Sequence, residues 1–268
     1  MPMSLDTYLK RDRTLVLLSL VTMTVLAWAY ILMGAGTGMS ALHMSGFPTA
    51  AGVMAAMEPV TWSTGYAALM IAMWWLMMVG MMLPAAAPMI LLFAAVARKQ
   101  TLKGTPGLTA GFVAGYLTVW GGFSLVAVVM QWALEGVALL SPEMVMTSVV
   151  IGAMLLIGAG AWQLTPLKEA CLRKCRAPLY FLTEHWRSGT GGAWRMGITH
   201  GAYCLGCCWV LMLLLFYGGV MNVYWIAGLA VFVLIEKTAK SGHWVGKLGG
   251  FALIAWGTAL LVGLAWRM

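Results

Sequence analysis

The sequence predicts an all-α polytopic transmembrane bundle. Three observations point there: an apolar composition, a set of long unbroken apolar runs, and a one-sided distribution of basic residues. Of the 268 residues, 62% are hydrophobic and 9% are charged. Soluble domains carry roughly 25% charged residues. Because the apolar runs are continuous and not alternating, helices fit and a barrel does not.

A spanning helix needs about 20 mainly apolar residues. Seven segments qualify, at roughly 14–33, 65–97, 108–134, 146–164, 195–217, 220–236 and 247–266. The first follows Lys10, Arg11 and Arg13 and lacks a small-x-small cleavage site, so it reads as a retained helix and not a signal peptide. The sixth is short and follows the fifth after Gly218-Gly219. Six helices plus a re-entrant hairpin is therefore the alternative to seven. No repeat or composition shift divides the chain, so residues 1–268 read as one membrane domain.

The net charge of +8 is a matter of topology. With the N-terminus in the cytoplasm, the inner segments hold Lys10, Arg11, Arg13, Arg98, Lys99, Lys103, Lys168, Arg173, Lys174, Arg176, Arg187, Arg195, Lys237, Lys240 and Lys247, which leaves Arg267 outside. The positive-inside rule selects this orientation, in the bacterial inner membrane, with a periplasmic C-terminus if the helices number seven. The basic residues meet anionic headgroups and are not a nucleic-acid footprint. Two connections are long: a periplasmic one at about 34–64, and a cytoplasmic one at about 165–193 with an amphipathic stretch inside it.

The second apolar segment is rich in methionine. Met70, Met73, Met77 and Met81 step by three, four and four, which stacks them within about 80° on one helix face. Pro84 and Pro88 then free backbone carbonyls that must be satisfied inside the protein. Thioethers are soft ligands suited to Cu(I), and carry no charge to desolvate. With 23 methionines in the chain, however, core packing is the competing reading.

Composition explains the fifth segment less well. His200, Cys204 and Cys207 fall at i, i+4 and i+7, within about 60° of one another, with Cys208 and Met212 to one side. Three of the five cysteines lie within five residues. A soft-metal site fits this face; buried inert thiols and thiol redox chemistry are the alternatives. Glu236, at the inner end of the sixth segment, reads either as an interfacial ion-pair partner of Lys237 or as a hydrogen-bond partner that orients His200.

Together these segments resemble a family. The run Trp74-Trp75-Leu76-Met77-Met78-Val79-Gly80-Met81-Met82-Leu83-Pro84 is similar to the Trp/Met-Met-Pro block of the bacterial predicted metal-binding integral membrane proteins. The likeness continues through Gly201, Cys204, Gly206, Cys207, Cys208, Trp209, Leu211-Met212, Gly219, Met221, Asn222, Trp225 and Glu236-Lys237, and spans about Gly65 to Ala265. It implies a metal site, with copper as the expected cation, and says less about activity.

Two smaller clusters remain. Met39, His43 and Met44, with Met54, Met57 and Glu58 further on, read as a capture site for periplasmic copper. Cys171 and Cys175 sit in a basic setting that reads either as a cytoplasmic hand-off site or as ordinary surface thiols.

The leading expectation is a copper-binding membrane protein that handles Cu(I) through Met, His and Cys. It would act as a transporter or as a metal donor to a periplasmic or membrane cuproprotein. No Walker-type phosphate loop is present, so transport would be passive or coupled to a partner. The other readings are a membrane thiol/redox enzyme and an accessory subunit of a larger complex. Against an enzyme, the chain has four histidines and no pair placed to hold a haem.

Overall fold

The structure is a computed structural model that describes residues 5–36, 45, 61–100, 105–141 and 144–266. Among the described residues it contains nine helices and no strand: α1 (Leu5–Leu32), α2 (Thr64–Gln100), α3 (Thr105–Gly136), α4 (Val149–Gln163), α5 (Pro166–Arg176), α6 (Pro178–His185), α7 (Gly189–Gly218), α8 (Val223–Thr238) and α9 (Gly242–Ala265). Met39, His43, Met44, Met54, Met57 and Glu58 lie outside the described residues.

All seven predicted segments are helical. Five helices, α1, α2, α3, α7 and α9, are long and apolar enough to cross a membrane, and α4 with α5 makes a sixth if the bent pair is one span. At 15 and 16 residues, α4 and α8 are only about 22–24 Å long, short of a hydrocarbon core of about 30 Å. Their ends are set by local chemistry. Ser148 caps the start of α4, and Thr165 followed by Pro166 starts α5 at a 62° bend. A proline fits the first turn of a helix but not the interior of α4. Gly219, at φ +97°, turns the chain after α7, and the Asn222 side chain caps α8 by accepting from the Trp225 N–H. The predicted cytoplasmic loop at 165–193 is thus mostly helix, with Lys174 on α5 ion-paired to Glu184 on α6. That hydrogen bond holds the Glu184 carboxyl below its ordinary value.

Helix α7 is the hub, packed against α3, α4, α5 and α8; α1 lies on α2, and α9 lies on α4 and α8. The α3–α7 contact is backbone to backbone. A Cβ at Gly115 would fall 2.1 Å from the Trp194 carbonyl oxygen, and one at Gly197 would fall 2.0 Å from that of Phe112. Small residues let helices approach this closely where burial from water supplies no driving force.

Pro84 lacks the N–H that would bond the Gly80 carbonyl. The indole of Trp28 on α1 donates to that carbonyl instead, at 3.2 Å. Trp28→Phe keeps most of the volume but orphans the carbonyl, and is expected to cost about 1 kcal/mol. Thermal unfolding of the purified protein measures it; an unchanged midpoint would show that the freed carbonyl finds another donor.

Candidate metal centre

His200, Cys204, Cys207, Cys208 and Met212 are all buried on α7. The thiols of Cys207 and Cys208 donate back to the Cys204 carbonyl, at 3.0 and 2.9 Å. Three other helices complete the site. From α3, the Tyr116 hydroxyl donates to the Met82 carbonyl of α2 (3.1 Å) and meets Cys204 Sγ at 3.0 Å. From α8, Lys237 Nζ approaches Cys204 Sγ at 2.8 Å and Cys208 Sγ at 3.9 Å. From α5, half-buried Cys175 packs against the core that holds these thiols. Cys171 packs against Gly206, where an added Cβ would fall 2.9 Å from its sulfur. All five cysteines therefore gather at one level of the bundle.

His200 sits in an aromatic enclosure, its ring 6.0 Å from Phe112, 5.8 Å from Tyr116 and 5.4 Å from Phe181. Its Nδ1 has no hydrogen-bond partner among the described residues. The expected pairing of Glu236 with His200 is not made. Instead Glu236 forms a buried ion pair with Lys168, α8 to α5, with side-chain exposures of 0% and 2%. The reason is topological: α5 folds back beside α8 and brings an ammonium to the carboxylate first. Nor does Glu236 pair with Lys237, which turns inward to the thiols.

The methionine stripe is wholly buried: Met70, Met73, Met77 and Met81 are at most 1% exposed. At one end Met70 Sδ accepts from Gln131 at 3.5 Å, and Gln131 also accepts from Trp74 and donates to Glu135, which accepts from Trp62. At the other end Met82 is tied through Tyr116 to Cys204. About 16 Å of helix separates Met70 from Met81.

Among the described residues, no three His, Cys, Asp or Glu side chains stand ready to hold a metal ion. The thiols of Cys207 and Cys208 are turned to a backbone carbonyl, so a metal would need them to rotate. The donor types nonetheless fit a soft monovalent ion: the thiols lie together, the His200 imidazole stands one turn before Cys204 and the Met212 thioether one turn beyond Cys208, with no carboxylate among them.

Sequence reasoning misses Tyr116 and Lys168, names Lys237 only as a neighbour of Glu236, and undervalues Cys175. Lys168 and Lys237 had been counted as topology charges, and a tyrosine in an apolar helix carries no local signal.

Fold and site define an all-helical protein with membrane-length apolar helices and a buried sulfur cluster. The family model for PpoB2, described as a copper chaperone, matches residues 71–260, and the chain belongs to that family. The match supports a copper-related family, a coarser statement than the metal-binding membrane family that the motifs resemble. It includes every cysteine, His200, Tyr116 and Lys237, and leaves α1 and the Met39–Met44 cluster outside. No curated protein and no solved structure matches the chain.

Proposed function

We propose that this protein is an integral membrane copper donor. It takes Cu(I) along the buried thioethers of α2 to the Cys204–Cys207–Cys208 cluster with His200 and Met212, and passes it to a cuproprotein. The observation that carries this reading is the gathering of five cysteines from two helices at one level of the bundle, with His200 one turn of α7 before Cys204, within the family-matched stretch. A chaperone must release what it binds. Soft donors spread along a path, each weak alone, suit release better than one tight cage. Positive-inside counting places the N-terminus in the cytoplasm of a bacterial inner membrane. A single membrane domain, with α4 and α8 as shortened crossings, accommodates seven passes.

Transport across the membrane is the second reading, favoured by the Met70–Met81 row between the Gln131–Glu135 network and the thiols. The Met39, His43 and Met44 cluster would serve either reading as the periplasmic capture site.

The test is metal content. The purified protein loaded anaerobically with Cu(I) is expected to retain copper, and Cys204→Ser, Cys207→Ser and His200→Ala each to lose most of it. Retention of full stoichiometry in all three would sink the α7 site. Loss of copper with unchanged cellular uptake separates donor from transporter.

A further inference from the structure

Lys237 is the penultimate residue of α8, yet it is 7% exposed and points into the sulfur cluster. A buried ammonium requires a counter-anion or dense hydrogen bonding. The nearest carboxylate along the chain, Glu236, is committed to Lys168. Cys204 and Cys208 are what Lys237 meets. A single positive charge on a flexible four-carbon stem therefore stands against the sulfurs that the copper reading assigns to the cargo.

We propose that Lys237 is a tethered counter-cation that competes with the cargo for Cys204 and Cys208, so that loading expels its ammonium and the ammonium's return drives release. The inference rests on the copper-donor reading and deepens it in two ways. First, the Cys208 thiol keeps its proton, donated to the Cys204 carbonyl, so the ammonium balances a single thiolate at Cys204, and exchanging it for one monovalent ion leaves the buried cluster's charge unchanged. A divalent ion would instead leave an uncompensated charge in a low-dielectric site. The competitor thus selects a monovalent soft ion, Cu(I) over Zn(II), on charge as well as on ligand softness. Second, the position supplies an exit: from the last turn of α8, a lysine stem can swing its head toward the interface while its methylenes stay against apolar surface.

The sign of one substitution distinguishes this role from the simplest alternative, in which Lys237 supports binding by stabilising thiolate. Lys237→Leu removes the charge and keeps an apolar side chain that offers the metal no donor. Affinity for Cu(I) is read in competition with a chromophoric Cu(I) chelator, under reducing, anaerobic conditions. If Lys237 competes, Lys237→Leu holds Cu(I) about tenfold more tightly and gives it up to the chelator more slowly. Equal or weaker retention by the variant overturns the inference. A wild-type protein that binds no Cu(I) would defeat the copper reading itself, so the two failures are distinct. A second measurement uses the wild-type chain alone and does not depend on the variant folding. Modification of Lys237 by an amine-reactive ester, read by mass spectrometry with and without Ag(I), should rise on metal addition. Identical modification in both samples overturns the displacement.

Discussion

Removing either partner of the Lys168–Glu236 pair is expected to destabilise the protein by about 3–5 kcal/mol, because the survivor is left as an uncompensated buried charge. Both side chains are sealed, at 2% and 0% exposure. The neighbouring helix leaves no slack: a Cβ at Gly246 of α9 would fall 2.2 Å from Glu236 Oε1. The pair joins α5 to α8 with α9 pressed against it, so one broken contact loosens three elements. Lys168→Met and Glu236→Met are the single variants. The double variant, which replaces both charges with apolar groups of similar volume, is expected to recover most of the loss. Unfolding in detergent, followed by helical circular dichroism, completes the cycle. Single variants within about 0.5 kcal/mol of wild type would mean that water reaches the pair.

The second large effect lies at the α3–α7 seam. Gly197→Ala adds one carbon where the Phe112 carbonyl oxygen already stands 2.0 Å from the Cβ position. A backbone atom cannot rotate aside as a side chain can, so the helices must separate. Overpacking of this kind costs about 1–3 kcal/mol or more. Because α7 carries the thiols and α3 carries Tyr116, separation would also open the Tyr116–Cys204 contact. Gly122→Ala on α3 is the control, since a Cβ there meets nothing within 4 Å. It is expected to be neutral or to stabilise by up to about 1 kcal/mol through helix propensity. Equal midpoints for the two variants would show that the seam is looser than its geometry implies.

Of the residues behind these two effects, the sequence singles out Glu236 but neither its partner Lys168 nor Gly197. Apolar length and periodicity announce a helix and its buried face, so all seven helical segments were readable, as was the His200–Cys204–Cys207 face. Hydropathy windows do not register where a cap cuts an apolar run. Ser148 and Asn222 therefore start α4 and α8 three residues inside the apolar runs at about 146–164 and 220–236, without leaving a mark in composition. Nor does periodicity name the neighbour of a face. Tyr116 and Cys204 are 88 residues apart and meet because α3 and α7 are pressed together at glycine. Lys237 was legible as a base and illegible as a guest of the sulfurs, because the positive-inside rule counts lysines at helix ends without asking which way they turn. The freed carbonyl of Gly80 was foreseeable from Pro84; its donor, Trp28, was not.

The 62° bend between α4 and α5 turns an apparent linker into a partition. Helix α5 is eleven residues long, with Lys168 and Leu172 buried, Cys171 and Cys175 half-buried against α7, and Glu169 and Arg173 exposed. One short cylinder therefore has a wet side and a sulfur side. In the copper-donor reading proposed above, an ion moving between the cluster and an aqueous partner would not have to leave one protein environment before entering the next. It would be passed around the circumference of a single helix, whose eleven residues present thiols on one side and charges on the other.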